Sequence, residues 1–93
     1  MKLRLSVRAQ RELDQQVDWL ALRSPQAARD ALAAVLHVFD LLEHHPELGM
    51  KTDKGWREKG VDFGRDGYVI CYVIRRDGIF VLRFKHGRQD RSR

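Results

Sequence analysis

The sequence predicts a small α+β domain of order βααβββ, in which a two-helix hairpin packs on a four-stranded, mainly antiparallel sheet. Three observations carry this. Lys2 to Val7 alternates polar and apolar residues, the period of a half-buried strand. From Ala9 to about His44 the apolar residues recur at helical spacing, interrupted once at Ser24-Pro25. The rest of the chain is short β-prone runs joined by two Asp-Gly turns, Asp66-Gly67 and Asp77-Gly78, a strong local hairpin signal. The 93 residues leave room for a single domain, residues 1–93, with one modest core.

In the first strand Leu3, Leu5 and Val7 face inward, and Lys2 and Arg4 on the outer face suit a sheet edge. Ser6 can cap the first helix, which carries Ala9, Leu13, Val17 and Leu20 as its stripe and runs to about residue 23, with Trp19 on its flank. Ser24 is a good N-cap for the second helix, and Pro25 fits the first helical position because its missing N–H is not needed there. That helix runs from about Pro25 to His44. Ala28, Leu32, Val35, Phe39 and Leu42 form its main stripe, and Ala27, Ala31, Ala34 and Val38 form a small-residue stripe for close packing on the first helix. Pro46 and Gly49 end it, and Met50 to Gly55 reads as a polar loop. Trp56–Phe63, Tyr68–Ile74 and Ile79–Phe84 read as the remaining strands, and the near-continuous apolarity of the last places it centrally, covered on both faces. The predicted core is Leu13, Leu32, Val35, Phe39, Leu42, Ile70, Tyr72, Val81 and Leu82.

Composition narrows the function classes. No apolar run approaches the roughly 20 residues needed to span a bilayer, and the N-terminus lacks a secretory apolar region. The single cysteine, Cys71, cannot form an internal disulfide, so a cytoplasmic protein is expected, with Cys71 an inert buried thiol. His44 and His45 point about 100° apart on a helix and have no Cys or third His at ligand spacing, so no metal and no cofactor is expected. His37 beside the apolar stripe reads as structural.

The net charge of +5 is concentrated at one end. Residues 1–74 carry 11 Lys/Arg and 11 Asp/Glu and balance. Residues 75–93 carry seven cations against Asp77 and Asp90. A rigid strand delivering Arg83, Lys85, His86, Arg88 and Arg91 to a sheet edge is a platform for an acidic or polyanionic partner. A solvated tail on a core strand is the plainer alternative.

Several short segments, in their order and spacing, carry a family resemblance across nearly the whole chain. They are Ala9-Gln10-Arg11-Glu12-Leu13-Asp14, His45-Pro46-Glu47-Leu48-Gly49, Gly55-Trp56-Arg57, Gly67-Tyr68-Val69-Ile70-Cys71-Tyr72, and the run from Gly78 to Asp90 that closes on His86-Gly87-Arg88-Gln89-Asp90. Together they resemble the RelE/ParE superfamily of type II toxin–antitoxin (plasmid stabilisation) toxins. The Pro-Glu-Leu-Gly and His-Gly-Arg-x-Asp segments are closest to the ParE branch. The resemblance implies the βααβββ fold and a cognate antitoxin, acidic in the segment that folds onto the toxin, in a hetero-oligomer. For ParE-like members it implies poisoning of DNA gyrase; for RelE-like members, cleavage of messenger RNA in the ribosome.

An RNase needs cations and a general acid or base around the scissile phosphate. Arg57, Lys59, His86 and Arg88 are similar to the RelE set. Against that, Val69 stands where RelE-like members keep an Arg, Arg65 in the preceding turn is out of register, and Gly87 follows His86 where an aromatic is often found. The order of expectation is a gyrase-binding toxin using Arg83, Lys85, His86, Arg88 and Arg91, then a ribosome-dependent endonuclease, then a non-toxic basic binding module.

Overall fold

The computed structural model describes residues 1–91, with side chains through Gln89. Its elements are β1 (Leu3–Leu5), α1 (Val7–Arg23), α2 (Pro25–His44), a 3-10 turn at Pro46–Leu48, β2 (Met50–Lys51), β3 (Arg57–Val61), β4 (Tyr68–Arg75), β5 (Gly78–His86) and α3 (Gly87–Arg91). Both helix starts follow the capping logic. Ser6 Oγ accepts from Ala9 N–H at 3.0 Å, and Ser24 Oγ accepts from Ala27 N–H at 3.1 Å, directly before Pro25.

The sheet runs β1-β5-β4-β3-β2; β1 is parallel to β5, and the other pairs are antiparallel. It therefore has five strands where four were expected. The extra strand is Met50–Lys51, inside the stretch that reads as a loop. Two residues are too few to show alternation, and what pairs them is local. Thr52 donates both its N–H, at 3.0 Å, and its hydroxyl, at 2.7 Å, to the Trp56 carbonyl, which closes a tight connection onto β3.

Nor is β5 central. It lies second from the edge, and β1 pairs only with Ile79, Phe80 and Val81. The helices cover one sheet face, where Ile79, Val81 and Phe84 are buried with Tyr68, Ile70 and Tyr72 against Ala9, Leu13, Val35, Val38, Phe39 and Leu42. A bulge at Leu82 explains the run of apolar residues. Tyr72 pairs with Val81 but Cys71 with Arg83, so Leu82 is the extra residue, and Val81 and Phe84, three apart, both point into the core. Leu82 is consequently only half-buried. Leu32, also expected in the core, is 36% exposed on a groove that it lines with Leu3, Leu5 and Leu36, while Ala31 and Val38 are buried. His37 is exposed as well.

Candidate functional site: the cationic end of the sheet

Because β1 is short, β5 has an open edge from Leu82 onward, and α1 fills it. Ser6 N–H donates to Val81 O at 2.9 Å and Ser6 Oγ to Leu82 O at 3.0 Å. Six residues further on, the Glu12 carboxylate accepts the Phe84 N–H at 3.0 Å, a ladder donor that has no strand beside it. The same carboxylate takes Arg83 in a bidentate grip, Nε at 3.0 and 3.1 Å and Nη2 at 2.7 Å. Burial alone would push the Glu12 carboxyl up. The hydrogen bonds from Arg83 and Phe84 N–H and the charges of Arg83 and Arg8 outweigh it and hold the group below its ordinary value. Arg83 is thus engaged within the fold, with its side chain 25% exposed.

Directly opposed residues share a sheet face. Arg57, Tyr72 and Val81 form one row, Lys59, Ile70 and Phe84 the next, and Val61, Tyr68 and His86 the third, all on the helix-facing side. Lys85, opposite Val69, lies on the other face. Arg57 and Lys59 do share a face, as their spacing predicts, but they do not converge with His86. From strand spacing and rise, Lys59 and His86 are about 12 Å apart at Cα and Arg57 and His86 about 17 Å. Arg57 turns inward, donating to Gly49 O at 2.8 Å and Glu47 O at 3.3 Å. The Tyr72 hydroxyl donates to Pro46 O and accepts Gly49 N–H at 2.8 Å, and a Cβ on Gly49 would overlap its ring. Burial raises the Tyr72 hydroxyl's pKa, against opposing contributions from the Gly49 N–H and Arg57. The Pro46–Gly49 segment is therefore a latch that ties the end of α2 to the sheet.

At the far end of β5 the aromatic rings of Phe63, Tyr68 and Phe84 pack together, with the His86 ring edge-on to Tyr68 at 5.8 Å between centroids. His86 Nδ1 accepts the Arg88 N–H at 3.1 Å, so in the neutral ring the proton sits on Nε2. Arg88 extends into solvent, its side chain 73% exposed and its Nε 3.8 Å from the Asp66 carboxylate. Gly87 N–H donates to Gly67 O at 2.8 Å. Its lack of a side chain is required, because a Cβ there would overlap the Asp66 carbonyl; this is the physical reason no aromatic follows His86. The Arg91 side chain lies outside the described residues.

Sequence reasoning missed Glu12, which enters only as part of the segment that opens the first helix, and Asp66, which reads only as a turn former. Among the described residues no cluster of His, Cys, Asp or Glu could hold a metal ion, and no helix is long and apolar enough to cross a membrane.

The chain matches, over residues 3–91, the family described as "ParE toxin of type II toxin-antitoxin system, parDE". It is similar to "Toxin RelE3" of Caulobacter vibrioides, 34% identical over 87 residues that cover 94% of this chain and 95% of that protein. It is also 32% identical over 87 residues to "Toxin RelE1" of the same organism, covering 94% of each chain. With the two-helix, mainly antiparallel fold and a match across almost its full length, the chain belongs to the ParE toxin family of type II toxin–antitoxin systems.

Proposed function

We propose that this toxin acts in the ParE manner, binding and poisoning DNA gyrase in the cytoplasm through Lys85, His86 and Arg88 at the end of β5, with Arg91 beyond them. The observation that carries the reading is the dispersal of the groups an RNase would need. Arg57 is bonded to backbone carbonyls at the opposite end of the sheet from His86, and by strand spacing Arg57 and Lys59 lie about 17 and 12 Å from His86 at Cα. Cations that end a rigid strand suit a protein interface instead, where charge steers association and a few anchors dominate affinity. Arg83, bound to Glu12, supports the platform from within.

Membership of the family implies an antitoxin. Acidic residues in its toxin-binding segment complement the C-terminal cations. An apolar part has a place to go as well: Leu36 is 53% exposed beside Leu3, Leu5, Leu32 and Phe39, apolar surface of the sort a bound chain covers.

The test is supercoiling by purified gyrase without ribosomes. The wild-type chain should block supercoiling or trap cleaved DNA, and should leave messenger RNA intact in a translating extract. One observation favours the RelE-type alternative: His86 keeps Nε2–H available as a proton donor on the same sheet face as Lys59. Loss of a catalytic histidine lowers rate by roughly 10²–10⁴-fold, whereas loss of one interface contact among several weakens binding by about five- to tenfold. RNA cleavage that disappears in His86→Ala, with gyrase untouched, would make the endonuclease the answer.

A further inference from the structure

We propose that Asp66 is a positioning residue for the cationic end: its carboxylate and the surrounding β3–β4 turn aim Arg88 at the toxin's target. The inference rests on the target-binding role given above to Arg88.

Four observations carry it. The Asp66 side chain is 9% exposed although it sits in a surface turn, and Arg88 Nε stands 3.8 Å from its carboxylate. Gly67 of the same turn accepts the Gly87 N–H at 2.8 Å, and Gly87 packs so closely on the Asp66 carbonyl that only glycine fits. The Arg88 N–H is itself fixed by His86 Nδ1. Finally, Phe63 and Tyr68, which flank the turn, stack on each other, and Tyr68 supports the His86 ring. The turn and residues 86–88 thus form one platform, built from two segments that are distant in sequence.

As a stability device the ion pair contributes little, because Arg88 is largely in solvent and its Nε, 3.8 Å from the carboxylate, is beyond hydrogen-bond reach. What it changes is the freedom of Arg88. Immobilising a long side chain on binding carries an entropic penalty, and ordering it beforehand improves affinity by roughly two- to tenfold. The opposite effect follows if Asp66 acts only as a charge. It would then screen Arg88 from an acidic target, and removing it would strengthen binding. The sign of the change separates the two roles.

The experiment compares the wild-type chain with Asp66→Asn, Arg88→Ala and the double variant, measuring the concentration that half-inhibits purified gyrase, growth arrest on induction, and melting temperature. Asp66→Asn should weaken inhibition by about fivefold although it makes the protein more cationic, and its melting temperature should match the parent's. In the Arg88→Ala background Asp66→Asn should have no further effect, since the residue it aims is gone. Unchanged or tighter inhibition, independent effects in the double variant, or a melting temperature that falls in step with activity would each overturn the proposal. If the wild-type chain spares gyrase but arrests growth, the gyrase reading fails alone, and the same coupling between positions 66 and 88 must then appear in growth arrest. A wild-type chain that does neither overturns both.

Discussion

Glu12→Gln tests the account of the β5 edge most directly. The substitution keeps the shape of the side chain and one acceptor oxygen, so Phe84 N–H can retain its partner. It removes the negative charge and one of the two oxygens that grip Arg83. Hydrogen bonds to charged partners contribute about 1.5–3 kcal/mol each, and Arg83, with its side chain only 25% exposed, is left without its counter-charge. A loss of about 2 kcal/mol in a domain of this size lowers the melting temperature by roughly 10 °C. The pH dependence gives an independent check. The folded pKa of Glu12 lies below its unfolded value, so its stabilisation is present above the unfolded pKa and is lost as pH falls through the folded pKa. Gln does not titrate. Thermal melts of the two proteins should therefore differ most near neutral pH and converge in acid. A difference under about 2 °C at neutral pH, or a gap that widens in acid, would refute the reasoning.

Three further outcomes are expected. Phe39→Ala removes a ring that is 8% exposed in the core cluster and should destabilise by about 3–5 kcal/mol in a denaturant titration; a variant melting within a few degrees of the parent would place α2 wrongly. Cys71 is buried and in no disulfide, its Sγ 3.8 Å from the Glu58 carboxylate, so a thiol reagent should label the native protein far more slowly than the unfolded chain. Gly87→Ala should abolish toxicity with a smaller effect on the melting temperature, because its Cβ overlaps the Asp66 carbonyl at the very end of the sheet, and retained full toxicity would show that the platform is not required.

The parts of this protein that its sequence reveals are those set by neighbours a few residues apart. Caps at Ser6 and Ser24, the stripes of α1 and α2 and the Asp-Gly turns all lie within one helical turn or one hairpin, and the structure keeps them. The errors fall where the deciding partner is distant. Leu82 reads as core until its opposite strand shows that Val81 and Arg83 are the paired residues and Leu82 the bulge. Leu32 reads as core because it shares a period with Val35 and Phe39, but the stripe is wider than the surface α2 has to cover, and Ala31 and Val38 take the inner positions. The Met50–Lys51 strand is the exception: its deciding contact, Thr52 to Trp56, is local, but two residues are too few for alternation to show it.

The same limit governs the site. The charge count assigns Arg83 to the functional surface along with Lys85, His86, Arg88 and Arg91, and the family resemblance adds Arg57, because neither can tell a cation that faces a partner from one that faces its own fold. Arg83 is held by a carboxylate 71 residues earlier in the chain, and Arg57 by two carbonyls of the Pro46–Gly49 segment. Both are bonded within the fold, and the proposed target surface therefore centres on Lys85, His86 and Arg88. On the proposed function, that contraction favours a protein partner. Cleaving a phosphate needs several charges converging on it, and the spread of Arg57, Lys59 and His86 along the sheet is what the proposed reading weighs against that chemistry. A protein partner needs a rigid patch of fixed outline, which β5, the β3–β4 turn and the glycine contact between them do supply.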